Sequence, residues 1–294
     1  MWLILLKRKQ IGMSLKIIFN ADDFGISRGV NAAIVEAHTK GILNSTSLMV
    51  NQQFADEAVA AAKKMPALAV GLHLNLTNET PAANPAEIPL LVGTDGKLKN
   101  GFVNLLLLSI LHPKAFAAQT EIEVRAQMQK FTANGLKPTH IDGHRHVHLI
   151  PEVFKIVRKI QEEYKIPRVR TMNENALNTI LQNRSKSWLF DGGLVKYFIL
   201  RFLTWWNGYK SDVYFYTILF TCKISHEQFR NIRIPRGYKA VEIMIHPGYP
   251  DIDKQMPDTI WDKNILSDWR TVELQTLLHK EVLNNIHETG ENND

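Results

Sequence analysis

The chain of 294 residues is 45% apolar and 22% charged, a composition that suits a soluble globular protein with a sizeable core in one large domain. Lys and Arg exceed Asp and Glu by 35 to 29, yet no block of like charges concentrates the excess, so composition gives no support to a nucleic-acid-binding role. The single cysteine, Cys222, excludes an intrachain disulfide and a cysteine-based zinc cluster and fits a reducing, cytoplasmic setting.

The N-terminal MWLILLKRKQIGMSLK puts its apolar residues before its basic run, the wrong order for a signal peptide, and residues 1–13 are expected to form an extension ahead of the first strand. No uninterrupted apolar run approaches the ~18 residues needed to span a bilayer. Short β-branched runs then alternate with helical patterns: KIIFNA (16–21), GVNAAIVEAHTKG (29–41), STSLMV (45–50), FADEAVAAAKKM (54–65) and AVGLHLNL (69–76). Prolines in TPAANPAEIPLL (80–91) argue against regular structure there, and a helix is expected over 118–134. KPTHID (137–142) reads as the next strand, and Pro151 opens a helix with Val153, Phe154, Ile156, Val157 and Ile160 on its buried side. IPRVRTM (166–172) and KAVEIMIHPG (239–248) supply further strands, residues 266–286 a last amphipathic helix, and residues 287–294 a frayed tail. This alternation predicts an α/β fold with mostly parallel strands, a TIM-like (β/α) barrel or near relative.

Residues 174–222 break the rhythm. The run SWLFDGGLVKYFILRFLTWWNGY is rich in Trp, Phe and Leu but interrupted by Asp191, Lys196 and Arg201. The plain expectation is an inserted helical lid or a contact in a homo-oligomer. A sharper one is a helix over 188–206 that touches a membrane surface, which would make the protein membrane-peripheral.

Polar residues at the C-terminal ends of barrel strands converge on one mouth. Strand one ends in NADDFG, with Asn20, Asp22 and Asp23; GLHLNL carries His73; IHPGYP carries His246; and THIDGHRHVHLIP (139–151) holds four histidines, His140, His144, His146 and His148, with Asp142 in phase with them. If that segment is extended, all five side chains face one way. It cannot form a metal site alone, because strand residues two apart are separated by ~7 Å and those four apart by ~13 Å. His144 and His148 have the spacing of a zincin pair but lack the intervening Glu, and Gly143 and Pro151 argue against a helix there. Adjacent carboxylates at Asp22 and Asp23 oppose each other's ionisation, a cost that a divalent cation relieves. The residues therefore predict an Asp/His/His site with positions open to water, suited to zinc or another divalent ion.

The motifs NADDFG, STSLMVN, GLHLNLT, KPTHIDGHRHVHLIP and EIMIHPG, in this order between Lys16 and Tyr249, resemble the YdjC family of carbohydrate deacetylases. The resemblance implies a distorted barrel and hydrolysis of an N-acetyl group on an amino sugar with one divalent metal ion, Mg or Zn. By motif, it implies Asp23, His73 and His144 as metal ligands, Asp22 as general base and His246 as acid or hydrogen-bond donor. Asp142 is expected to support a ligand imidazole, Asn20 and Arg28 to reach sugar hydroxyls or else to serve the helix start or the backbone, and His140, His146 and His148 to be structural or substrate-facing. Two rival classes are a different metal hydrolase, an amidohydrolase or phosphoesterase, and a non-catalytic metal-binding relative. An amidohydrolase would want a His-x-His pair on strand one, and a mere metal store has no use for Asp22.

Overall fold

The computed structural model describes residues 5–6, 15–182, 193–229, 232–256 and 262–288. Most of the expected N-terminal extension and the start of the Trp-rich run lie outside the described residues.

The elements follow the alternation read from the sequence: β1 (Leu5–Leu6), β2 (Leu15–Phe24), α1 (Arg28–Lys40), β3 (Ser45–Leu48), α2 (Ala55–Lys64) and β4 (Ala69–Leu74). Then come α3 (Phe102–Leu111), α4 (Pro113–Ala133), β5 (Ile141–Gly143) and α5 (Pro151–Glu163). The second half adds α6 (Ala176–Gln182), α7 (Gly193–Trp206), β6 (Val213–Tyr216), β7 (Ile232–Ile234), β8 (Ala240–Ile245), α8 (Pro250–Asp253), α9 (Trp269–Leu278) and β9 (Ile286–Glu288). The main sheet runs β5-β4-β3-β2-β8-β6, with every pair parallel, and β1 adds an antiparallel edge to β2. Parallel strands need long crossovers, and the helices supply them on the outside.

One side chain shows that this sheet is curled into a distorted barrel. Val169 bridges to Ile141 at the β5 edge, so the 168–170 segment lies four strands from β2 along the sheet. In a flat sheet that is roughly 19 Å. Arg170 nevertheless bonds Asp22 of β2 and Glu242 of β8, each at 2.7 Å, and its guanidinium lies 5.6 Å from the Phe215 ring of β6. The sheet must wrap until its two edges nearly meet, with Arg170 inside.

Local physics explains the best-read helices. Ser27 caps α1, its Oγ accepting from the Val30 amide at 3.2 Å, and Val30, Ala33, Ile34 and Ala37 form the buried stripe. Pro151 sits in the first turn of α5, and the five apolar residues picked from periodicity are all buried, each stabilising the fold by about 1.5–3 kcal/mol.

Several elements differ from expectation. The helix expected over 118–134 begins at Pro113, and α3 precedes it. Only Val169 of the segment 166–172 makes a ladder contact. Residues 174–222 contain α6, α7 and a true sheet strand, β6, so the barrel runs through the stretch that read as an insertion. The last helix stops at Leu278 and continues as a 3-10 turn over Lys280–Asn285. His287 and Glu288, expected in a frayed tail, pair with Arg233 and Ile234 in a small parallel ladder. No helix among the described residues is long and apolar enough to cross a membrane.

Candidate metal centre and active site

Asp22 and Asp23 pose a geometric problem, since neighbours on a regular strand point to opposite faces. The β2–β3 register slips between Ala21 and Phe24, and Asp23 adopts φ 70°, a left-handed conformation that Asp tolerates better than most residues. This bulge turns both carboxylates inward, where both are buried.

His73 of β4 lies directly opposite Asp142 of β5, so the two share a face. His73 Nδ1 donates to Asp142 Oδ1 at 2.7 Å, which fixes the ring and leaves Nε2 3.5 Å from Asp23 Oδ1. His144 follows β5 immediately, and its Nδ1 donates to the same Asp23 oxygen at 2.9 Å. Burial raises the Asp23 carboxyl, but His144, His73 and Arg270 outweigh it and hold the group well below the usual carboxylate range. Burial likewise pulls the His73 imidazole down, and Asp142, Asp22 and Asp23 overcome it and push it up to about 10.

The donor atoms of Asp23, His73 and His144 all lie within 4.8 Å of one another. Two ligand atoms bound tetrahedrally about 2.1 Å from one ion are about 3.4 Å apart, close to the 2.9 and 3.5 Å found here. The charges agree. Among the described residues, Asp22, Asp23 and Asp142 contact Arg170 and Arg270 as permanent cations, so the cluster holds a proton on His73 or accepts a metal cation. These residues fit a divalent ion with a borderline, nitrogen-and-oxygen donor set. A second group, Asp22, His73 and Asp142, is equally compact, but Arg170 already binds both of its carboxylates. A second ion would have to displace that guanidinium.

Around the three ligands lies a buried network. Arg170 Nη1 and Nη2 grip Asp22 Oδ2 and Oδ1, each at 2.7 Å, and Nη2 also reaches Asp142 Oδ2 at 2.7 Å. Asn20 donates to Asp22 Oδ1 and to Ser47 Oγ, both at 2.8 Å, and Ser47 in turn donates to Asp142 Oδ2 at 2.6 Å. Asn20 is thus fully buried and turned toward Asp22, not toward sugar hydroxyls. Arg28 is on the surface, paired with Glu57.

His246, at the end of β8, is brought to the same helix as Asp23 but not into direct contact with it. Arg270 and Glu273 sit three residues apart on one face of α9; Arg270 Nη2 donates to Asp23 Oδ2 at 2.7 Å, while Glu273 accepts the His246 amide and lies 3.7 Å from its Nδ1. Burial pulls the His246 imidazole down, but Cys222 and Glu273 prevail and raise it well above its ordinary value.

The histidine segment is not extended throughout. Beyond Gly143 it winds into a 3-10 turn, His144–Leu149, with Arg145 and His146 in left-handed conformations. Its histidines consequently diverge. His140 packs on Ser47 Oγ at 3.0 Å, over Gly71, where an added Cβ would lie 2.4 Å from the ring. His148 Nε2 donates to the Arg170 carbonyl at 3.2 Å. Burial drives both His140 and His146 well below the ordinary imidazole range and His148 down to about 4, so all three are neutral packing groups.

Sequence reasoning missed Arg170, Arg270, Ser47 and Glu273. Arg170 had a faint signal, an arginine inside an apolar strand-like run, where burial demands a partner. The two residues of α9 had none, because their partners lie far away in the chain.

The family model for YdjC-like proteins matches residues 16–288. A carbohydrate deacetylase of Brevibacillus brevis is 36% identical over 275 residues, covering 93% of this chain and 95% of that protein. One from Clostridium beijerinckii is 31% identical, covering 93% and 96%, and a chitooligosaccharide deacetylase of Salmonella paratyphi B is 28% identical, covering 81% and 84%. A crystal structure from Enterococcus faecalis V583, provisionally described as a cellobiose-phosphate cleavage protein, superposes with a TM-score of 0.64 at 25% identity over 92% of each chain. With its barrel, its inward-turned aspartate pair and this match over nearly the whole described chain, the protein belongs to the YdjC-like family.

Proposed function

We propose that the protein is a metal-dependent hydrolase that removes the N-acetyl group from an amino-sugar substrate and releases acetate. The observation that carries this reading is the separation of labour between adjacent carboxylates: Asp23 joins His73 and His144, while both oxygens of Asp22, which also lies near His73, are engaged by Arg170. A divalent ion, zinc or magnesium, held by Asp23, His73 and His144 would supply Lewis acidity toward the unreactive acetamide carbonyl and lower the pKa of the attacking water.

The chain's own groups do the rest. Among the described residues, Asp22 Oδ1 accepts from both Asn20 and Arg170 and Oδ2 from Arg170 alone, leaving Oδ2 with a lone pair to take the water's proton. The bidentate guanidinium fixes the plane of that carboxylate. Asp142 sets the His73 tautomer so that Nε2 is the ligand atom. Protonated His246 donates to the departing sugar amine, completing the general acid–base pair, a contribution worth ~10²–10⁴-fold. The lone cysteine fits action in the cytoplasm.

The test is acetate release from chitooligosaccharides and other N-acetylglucosamine compounds by the purified protein. Release that stops on chelation and returns with added zinc, cobalt or magnesium is the expected result. Release that is indifferent to chelation would remove the metal from the account.

A further inference from the structure

The helix α7 carries a face that the barrel does not use. Tyr197, Leu200, Leu203 and Thr204 are buried against the fold. The opposite side exposes Phe198 (64%), Phe202 (52%), Trp205 (70%) and Trp206 (63%), along with Val195 and Ile199. Large aromatics exposed together on one helix are costly in water and mark a contact surface. The helix begins at the active-site end, where Lys196 Nζ donates to Thr221 Oγ1 at 3.0 Å and its charge acts on His146. Its C-terminal end, through Asn207 Nδ2, donates to the Leu149 carbonyl of the histidine turn at 2.9 Å.

Beside this face is an open groove of about 800 Å³, lined by Phe198, Phe202, Trp205, Tyr209 and Tyr238. The charged residues of its lining are Arg201 and Lys210, with no carboxylate among them. Neither Asp nor Glu occurs from Gly193 to Lys210. An apolar, aromatic surface whose lining carries cations and no carboxylate is complementary to an anionic bilayer surface, with indole rings at the headgroup level and cations at the phosphates. A second copy of the chain would bring the same cations against themselves.

We propose that α7 and this groove seat the protein on membranes containing anionic lipid, laying the flank of the barrel on the bilayer. The contact is peripheral, and it is independent of whether the site hydrolyses an acetamide.

Flotation with vesicles of phosphatidylcholine, with and without phosphatidylglycerol, tests the proposal on the full chain. Partitioning should favour the phosphatidylglycerol vesicles by about tenfold or more and weaken with salt. Arg201→Gln should lower it by about fivefold, since each basic residue near an anionic surface contributes about 1 kcal/mol. Trp205→Ala combined with Trp206→Ala should abolish it while leaving acetate release from a soluble oligosaccharide unchanged, because both side chains are already in solvent. Equal partitioning onto both vesicle types, or full binding by the double variant, would overturn the proposal. So would a dimer in lipid-free solution that the double variant dissolves, because a second copy would then own the patch. Absence of hydrolysis alongside normal flotation would leave the docking surface standing and count against the catalytic reading alone.

Discussion

Arg170 holds both oxygens of Asp22 at 2.7 Å, although the two residues are 148 positions apart in the chain. The same guanidinium meets Asp142 and Glu242, so it ties together carboxylates from three strands. Removing one partner of a buried ion pair typically costs 3–5 kcal/mol, since the others are left uncompensated. Arg170→Met should therefore lower stability by at least about 3 kcal/mol in urea unfolding. It should also lose activity under conditions where it remains folded. Arg170→Lys keeps the charge but not the planar fork, and should recover stability better than turnover. A variant without Arg170 that matched wild type in both measurements would contradict this role.

Asp142 stands outside the Asp23, His73 and His144 set, yet it orients His73 through a 2.7 Å bond. Partners of this kind typically contribute 10–100-fold to metal affinity. Asp142→Asn should weaken zinc binding by about that factor in chelator competition, with Asp23→Ala, His73→Ala and His144→Ala losing more. Unchanged occupancy in all four variants would place the metal elsewhere.

Acid should destabilise the protein through its buried neutral histidines. His148 is held down to about 4 by burial, against 6.5 for a free imidazole. Between those values the unfolded chain binds the proton and the folded one does not, so stability rises with pH across the window. The full contribution is present above pH 6.5 and is lost as pH falls toward 4, a difference on the order of 3 kcal/mol for this one group. Measured unfolding free energy for His148→Gln should show a shallower slope between pH 6.5 and 4 than wild type; equal slopes would show that His148 is not the titrating group.

Elements whose signal is local were legible in the sequence. The β-branched run of β2, the Ser27 cap of α1 and the apolar stripe of α5 are decided within a few residues of themselves. The α3 sequence FVNLLLLSIL is apolar on nearly every side and has no usable period. The strand VYFY hid among equally aromatic neighbours, and only its pairing with Val241 and Ile243 distinguishes it. Left-handed Arg145 and His146 carry no compositional marker, so the histidine run read as extended. Within the site, the convergence of Asp23, His73 and His144, which could hold a metal ion, was expected from the motifs, whereas Arg170 and Arg270 acquire meaning only from contacts across the closed barrel.

The central claim is that Asp22 serves as base while Asp23 serves as ligand. Asp22→Asn retains the shape, the hydrogen bond from Asn20 and the metal ligands, but removes the acceptor for the water's proton. Acetate release and bound metal should be measured on the same preparation of this variant. Full metal occupancy with turnover reduced by about 10²-fold or more is expected. Wild-type turnover by Asp22→Asn at equal metal content would contradict it.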